Sequence, residues 1–280
     1  MEQIKLTKRL QRIFLLAENL INNDNRAILY PIHLFIAALQ VKTGVLGELN
    51  LKFPIDINLL MKISNQLQFD GKEYIHHYFN SKVSNRTIQV LKEAEMIMNK
   101  YGQIYLNEGH IIKAIFVSDN EVRNFFSYEE RELILDITTT PRDLAVSLIN
   151  YVKPNLKSTS FIVKRATLSD TDELFSFIEK EFNNKWLCNI KSGFCKEIIP
   201  IYIAIEDNEV IGFGAYDIVK KGLFGPMGIK KAYRKKNVGY TILHNCLNDM
   251  NNDGYKYAII DEAGPIEFYE ETCGATIIHK

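Results

Sequence analysis

The chain predicts two domains: an all-α double-repeat helical domain, then an α/β (α+β) domain with a mixed sheet and helices on both faces. Three observations carry this. The first part repeats itself at an offset of 77 positions, with apolar residues at helical spacing in both copies. From about Phe161, β-branched and apolar runs separated by short polar turns replace that pattern. Within this second part, Ile229 to Leu243 reads as a strand end, a basic turn and an amphipathic helix in direct succession. A length of 280 residues suits two domains. The expected boundaries are 1–152 for the helical domain, 153–160 for a linker (Pro154-Asn-Leu-Lys-Ser-Thr-Ser160), and 161–280 for the α/β domain.

Bulk properties narrow the function classes. Hydrophobic residues make up 46% and charged residues 24% of the chain, as in ordinary globular proteins. Lys+Arg and Asp+Glu both number 34, a balance that argues against a nucleic-acid partner. Met1 to Leu10 is polar, unlike a secretory signal, and no stretch approaches the length of a membrane-spanning helix. Cys188, Cys195, Cys246 and Cys273 form no Cys-x-x-Cys pair and read as reduced, mostly buried thiols of a cytoplasmic protein. Their spacing suits no metal, and none is expected.

In the repeat, Thr7 falls on Ser84, Arg9 on Arg86, Ala17-Glu18 on Ala94-Glu95, Leu29 on Leu106, His33 on His110 and Ala37 on Ala114. Each copy reads as helix, turn, helix. Thr7 or Ser84 supplies an N-cap hydroxyl. Leu10, Ile13, Phe14, Ala17, Leu20 and Ile21 form one apolar stripe, and Val90, Leu91, Ala94 and Ile97 the other. Polar turns follow at Asn22–Asn25 and Asn99–Gly102, and second helices open near Pro31 and Glu108. The paired copies would end near Phe126, and Ser127 to Tyr151 reads as further helix or helical linker broken at Pro141. His33 and His110 are expected to bond backbone as capping or core residues rather than serve as ligands.

The segments around Thr7-Lys-Arg, Leu16-Ala17-Glu18 and Ile32-His33-Leu34, with their partners at Ser84, Glu93-Ala94-Glu95 and Gly109-His110-Ile111, resemble the double repeat at the N-terminus of Clp ATPases. The acid that precedes the histidine in that family is Ile32 or Gly109 here. The resemblance implies an all-α module that docks adaptors or substrates of a proteolytic machine. No Gly-x-x-x-x-Gly-Lys-Ser/Thr segment accompanies it, so ATP hydrolysis is not expected.

In the second part, Phe161–Ala166 reads as a strand and Ser169 as the cap of the helix that follows. Helix is expected to about Lys196, with a break near Ser192-Gly193. Ile198–Glu206 and Val210–Val219 read as a hairpin about Asp207-Asn208, and Gly222–Ile229 as a strand bulged at Gly225-Pro226. Free N–H groups at the start of the next helix make an anion site. Asn237 and Gly239 are residue types that accept left-handed angles, and Arg234, Lys235 and Lys236 add positive charge.

The run Arg234-Lys-Lys-Asn237-Val-Gly239 after a strand resembles the Arg/Gln-x-x-Gly-x-Gly/Ala loop of GNAT acyltransferases, with Asn237 in place of the first Gly. Tyr255–Ile260, the Phe268-Tyr269 pair and Gly274 continue the family order. The resemblance implies direct acetyl transfer from acetyl-CoA to an amine acceptor: a protein, a peptide or a small molecule. Amides near Met227 and Ile229 would hold the pantetheine and polarise the thioester. Those from Lys235 through Lys236, Asn237, Val238 and Gly239 to Tyr240 would hold the diphosphate beside Arg234, and Tyr269 would protonate the leaving thiolate. Glu206, Asp217, Asp261, Glu262 and Glu267 are all candidates for the base, and Trp186 and Phe194 either line the acceptor side or pack in the core. The family's last strand is expected to be absent, since the chain stops four residues after Thr276. The alternative reading is a non-enzymatic CoA-binding or adaptor protein of a Clp-type protease system. Homo-oligomerisation stays open.

Overall fold

The computed structural model describes residues 4–21, 28–67, 71–155, 160–234 and 236–279. The turn expected at Asn22–Asn25 and the site residue Lys235 lie outside the described residues. The chain divides between Thr140 and Pro141 into two compact units.

The first unit runs through β1 (Lys5–Leu6), α1 (Lys8–Ile21), β2 (Ile28–Leu29), α2 (Pro31–Gln40), α3 (Gly44–Lys52) and α4 (Ile57–Gln66), then β3 (Glu73–Tyr74) and β4 (Lys82–Ser84). It continues with α5 (Asn85–Lys100), β5 (Tyr105–Leu106), α6 (Glu108–Ser118), α7 (Asn120–Phe125) and α8 (Tyr128–Thr139). The offset of 77 carries β1 into β4, α1 into α5, β2 onto β5 and α2 into α6. The strands exchange partners across the copies. Lys5 pairs with Tyr105 and Ile28 with Lys82, both in parallel. Each pairing is the other with its two roles reversed, as in an isologous contact. Thr7 Oγ1 accepts the Leu10 N–H at 3.1 Å and Ser84 Oγ the Thr87 N–H at 3.1 Å, so both expected caps form. Leu10, Ile13, Phe14, Ala17 and Ile21 are buried along α1, and Val90, Leu91, Ala94 and Ile97 along α5.

Both histidines cap. The Tyr30 N–H donates to His33 Nδ1 at 3.0 Å and the Asn107 N–H to His110 Nδ1 at 3.2 Å. Each closes a capping box, with imidazole where Glu or Gln usually reaches back. Such a nitrogen must stay unprotonated to accept, and burial, helped by Lys113, pushes the His110 imidazole down to about 4.

The second unit contains β6 (Arg142–Ser147), β7 (Ile162–Arg165), α9 (Thr171–Phe182), α10 (Leu187–Phe194), β8 (Ile201–Glu206), β9 (Glu209–Tyr216) and β10 (Leu223–Ile229). It ends with α11 (Val238–Asn252), β11 (Tyr257–Ala263), α12 (Ile266–Cys273) and β12 (Thr276–Ile277). Its seven-stranded sheet has the order β12-β6-β11-β10-β9-β8-β7. Only β10 and β11 pair in parallel; the other neighbours are antiparallel. The hairpin forms as expected, and Asp207 and Asn208 supply the positive φ values (50° and 61°) that a two-residue turn of the right twist needs.

Five expectations are corrected. Residues 142–147, placed in the helical domain by sequence, form β6 between β11 and β12, so the sheet unit begins at Pro141 rather than after a linker at 153–160. Arg142, Leu144 and Val146 are buried on alternate positions, the period of a strand. That strand fills the place beside β11 that the early C-terminus seemed to leave empty. The helix break falls at Asn183 and Asn184, both with positive φ, and not at Ser192-Gly193. Ser169 is not the cap: Thr167 caps a 3-10 turn (Leu168–Asp170) that leads into α9, sharing a capping box with Asp170, a carboxylate also held by Lys164 at 2.7 Å and itself the N-cap position of α9. Of the cysteines, Cys188 on α10 and Cys195 just after it are exposed, Cys246 is buried and Cys273 intermediate; all four are free.

Because His110 titrates lower folded than unfolded (ordinary value 6.5), its contribution to stability is complete above pH 6.5 and is lost as pH falls toward 4. His110→Gln keeps an acceptor that does not titrate. Urea unfolding at pH 7.5 and 4.5 should show the variant losing less stability than the wild type, by up to about 3 kcal/mol.

Candidate functional site

Two glycines set the position of α11. A Cβ on Gly212 would lie 3.1 Å from Val238 Cγ1 and one on Gly214 2.5 Å from Ile242 Cγ2, so side chains on this face of β9 would lift the helix. With them absent, α11 lies against the sheet, burying Val238, Ile242, Leu243, Cys246, Leu247 and Met250. Its first turn is thereby brought to the end of β10.

β10 changes partners along its length. It pairs with β11 at Leu223↔Ile259 and Phe224↔Ile260. Past Phe224 its register with β9 shifts, and Met227, Gly228 and Ile229 pair with Gly214, Phe213 and Gly212 of β9 alone. Pro226, which has no N–H to give, sits in the shift. β10 and β11 therefore separate into a seam at Met227–Ile229, just past the bulge expected at Gly225-Pro226.

Beyond the seam, Lys231–Tyr233 form one turn of 3-10 helix, and Asn237 caps α11 in the left-handed region (φ 64°, ψ 11°). Its side chain makes no cap hydrogen bond, so it leaves the first-turn amides of Val238, Gly239 and Tyr240 to another acceptor. Gly239 is helical and not left-handed, a correction to the reason given for it. A Cβ there would stand 3.4 Å from Phe268 Cζ, 3.6 Å from Ile229 Cγ1 and 3.7 Å from Met227 Cε. The structure thus gathers Met227, Ile229, Gly239 and Phe268 at one point. The cations are arranged differently from a simple fringe. Arg234 Nε donates to the Ile229 carbonyl at 3.3 Å, and Lys236 Nζ lies 4.4 Å over the Tyr233 ring. What the turn offers an anion is chiefly its amides.

Tyr269 is 7% exposed on α12, edge-on to Phe224 of β10 at 6.3 Å and to Phe268 at 5.0 Å. Burial, with Cys273 nearby, pushes its phenol well above the ordinary value, so the hydroxyl keeps its proton near neutral pH. The candidate acids separate by environment. Glu206 is bonded by Ser160 and Tyr233, contacts that lower its pKa. Asp217 accepts the Gly222 N–H at 2.7 Å and the Tyr255 hydroxyl at 2.8 Å. Asp261 and Glu262 lie in a register shift of β11 just past its last pairing with β10. Desolvation, then Asp143 and Glu262, raise the Asp261 carboxyl. Asp143, which also accepts the Glu262 N–H at 3.1 Å, was missed by sequence reading because its strand was. Trp186 packs against Phe182 and Phe213 at 5.2 and 6.0 Å, and Phe194 against Phe175 at 5.7 Å, so both complete the core cluster.

Among the described residues no group of His, Cys, Asp and Glu could hold a metal ion, and no single helix is long and apolar enough to cross a membrane.

Comparison with known proteins assigns the two units to different families. Residues 5–127 match the model of the Clp repeat (R) N-terminal domain, and residues 168–275 that of the acetyltransferase (GNAT) family. The chain therefore carries a Clp N-terminal repeat domain followed by a GNAT domain. Similar solved structures include a GCN5-related glucosamine N-acetyltransferase region of a fungal multi-domain GH3 beta-N-acetylglucosaminidase (15% identity, TM-score 0.43, covering 50% of this chain and 20% of that one). A GCN5-related N-acetyltransferase from Sphaerobacter thermophilus is 15% identical, with TM-score 0.41 and 54% of each chain covered. The N-terminal domain of the caseinolytic protease associated chaperone ClpD from Arabidopsis thaliana is 14% identical, with TM-score 0.35, covering 48% of this chain and 94% of that one. The chain spans about half or less of the length of the two acetyltransferase structures. A search of the curated proteins found no match.

The left-handed cap gives a direct test of the turn. Asn237→Gly should leave stability within about 0.5 kcal/mol, whereas Asn237→Val, with a β-branched side chain in that region, should cost about 1–2 kcal/mol in denaturant unfolding.

Proposed function

We propose that the GNAT domain transfers an acetyl group from acetyl-CoA to an amine, and that the helical domain docks the protein or peptide that carries it. A match to the acetyltransferase family supports an acyltransferase. The observation that carries the finer reading is the adjacency of the β10 seam to a helix start whose cap residue leaves its amides open. An extended thioester arm fits a seam with one unpaired strand edge. A diphosphate fits three helix-start N–H groups favoured by the helix dipole.

In this reading the amides of Met227 and Ile229 hold the arm and the thioester carbonyl, where negative charge develops as the amine attacks. The amides of Val238, Gly239 and Tyr240, with Asn237 setting the turn, hold the diphosphate. Arg234, Lys235 and Lys236 add positive potential. The amine nitrogen forms the new bond to the carbonyl carbon and the carbon–sulfur bond breaks. Tyr269 gives its proton to the departing thiolate. Asp261, whose carboxyl desolvation, Asp143 and Glu262 raise, takes the proton from the amine. Four free cysteines fit a reducing, cytoplasmic setting.

Tyr269→Phe removes one oxygen and keeps the ring between Phe224 and Phe268. With acetyl-CoA and a panel of peptide and polyamine acceptors, kcat should fall about 100-fold or more while CoA affinity stays within about twofold. Unchanged turnover would remove Tyr269 as the acid. Tight CoA binding by the wild type, with no turnover on any acceptor, would favour an adaptor that reads CoA over an enzyme.

A further inference from the structure

The segment after β6 lies outside the part that matches the acetyltransferase model, yet it is bonded along α11. Tyr151 Oη sits 2.7 Å from His244 Nδ1, Asn251 Nδ2 donates to the Tyr151 carbonyl at 3.4 Å, and Lys153 Nζ donates to Asn245 Oδ1 at 2.7 Å. The Leu148 N–H donates to the Lys256 carbonyl at 2.8 Å and fixes the start of this strap. His244 is 3% exposed, its ring stacked on Tyr151 and 4.4 Å from the edge-on ring of Tyr240. Tyr240 is one turn earlier on the helix and gives one of the amides assigned above to the diphosphate.

We propose that His244 is a positioning residue for that anion site: its neutral imidazole, held by the Tyr151 hydroxyl, seats the Tyr240 ring and so aligns the first turn of α11. This rests on the reading that the start of α11 binds the CoA diphosphate. Burial lifts the Tyr151 phenol, so the hydroxyl keeps its proton and can donate it to Nδ1 of a neutral His244. In that tautomer the ring proton sits on Nε2, which makes no hydrogen bond of its own, and the Thr272 backbone lies near the ring. A second proton on Nδ1 would face the Tyr151 O–H and force it to turn. The new cation would be buried against Tyr151 of the strap, Tyr240 of α11 and the Thr272 backbone of α12, with Lys153 of the strap near enough to repel it. Desolvation accordingly lowers the His244 pKa from 6.5, with Lys153 adding to it. The neutral form and its alignment persist down to mildly acid pH and are lost below.

The test is calorimetric titration of the full chain with dephospho-CoA, which lacks the phosphomonoester that would itself titrate in this range. From pH 7.5 down into the acid range below the ordinary imidazole value, wild-type affinity should fall about tenfold, and that of His244→Gln less than about twofold. Tyr151→Phe removes the donor that favours neutral His244, so its loss of affinity should begin at higher pH than in the wild type, a displacement that a purely structural role would not produce. Parallel pH profiles in all three proteins overturn the proposal. So does wild-type affinity that rises in acid, which would mean that the imidazolium attracts the diphosphate directly. No binding by the wild type at pH 7.5 would instead overturn the diphosphate reading on which the proposal stands.

Discussion

The contact of α11 with β9 across Gly212 and Gly214 is the constraint on which the second unit depends. It fixes the helix start where β10, which pairs with β9 and no longer with β11 after Phe224, comes to its end. Opening the sheet exposes strand amides, and capping a helix with a left-handed asparagine exposes helix amides. Both are costly in a fold that otherwise satisfies its backbone. Two such openings side by side support the proposed site for a polar, extended ligand.

The opposite face of the sheet supports this arrangement. A Cβ on Gly228 would lie 2.7 Å from the Phe182 ring, so the aromatic group of Phe177, Phe182, Trp186 and Phe213 braces the seam strand from behind. On the far side of the seam, β6 buttresses β11 and brings Asp143 to the register shift at Asp261–Glu262. The helical unit is built on a different economy. Two weakly similar copies exchange short strands, and each closes its second helix with a histidine in place of an acid.

Much of this was legible in the residues because local chemistry dictated it. The 77-position offset, the Thr7 and Ser84 hydroxyls and the Asp207-Asn208 turn each act within a few residues of themselves, and each formed as expected. β6 was not legible in that way. Arg142-Asp-Leu-Ala-Val-Ser147 does alternate, but it follows directly on a helix and its partners lie more than a hundred residues away in β11 and β12. The break at Asn183-Asn184 was hidden because asparagine tolerates both helix and left-handed turn, and only packing decides. At the site, the strand and turn residues could be named from the sequence. The orientation of Arg234 toward Ile229, of Lys236 over Tyr233 and of Tyr240 against His244 depends on tertiary neighbours that no local pattern records.

The central claim concerns three amides at the start of α11. Titration of the ¹⁵N-labelled chain with CoA, followed by amide chemical shifts, examines them directly. The account predicts that Val238, Gly239 and Tyr240 shift together, with one dissociation constant, and that Met227 and Ile229 shift with them. Binding that leaves these five amides unmoved while others respond, or no binding at all, would contradict it.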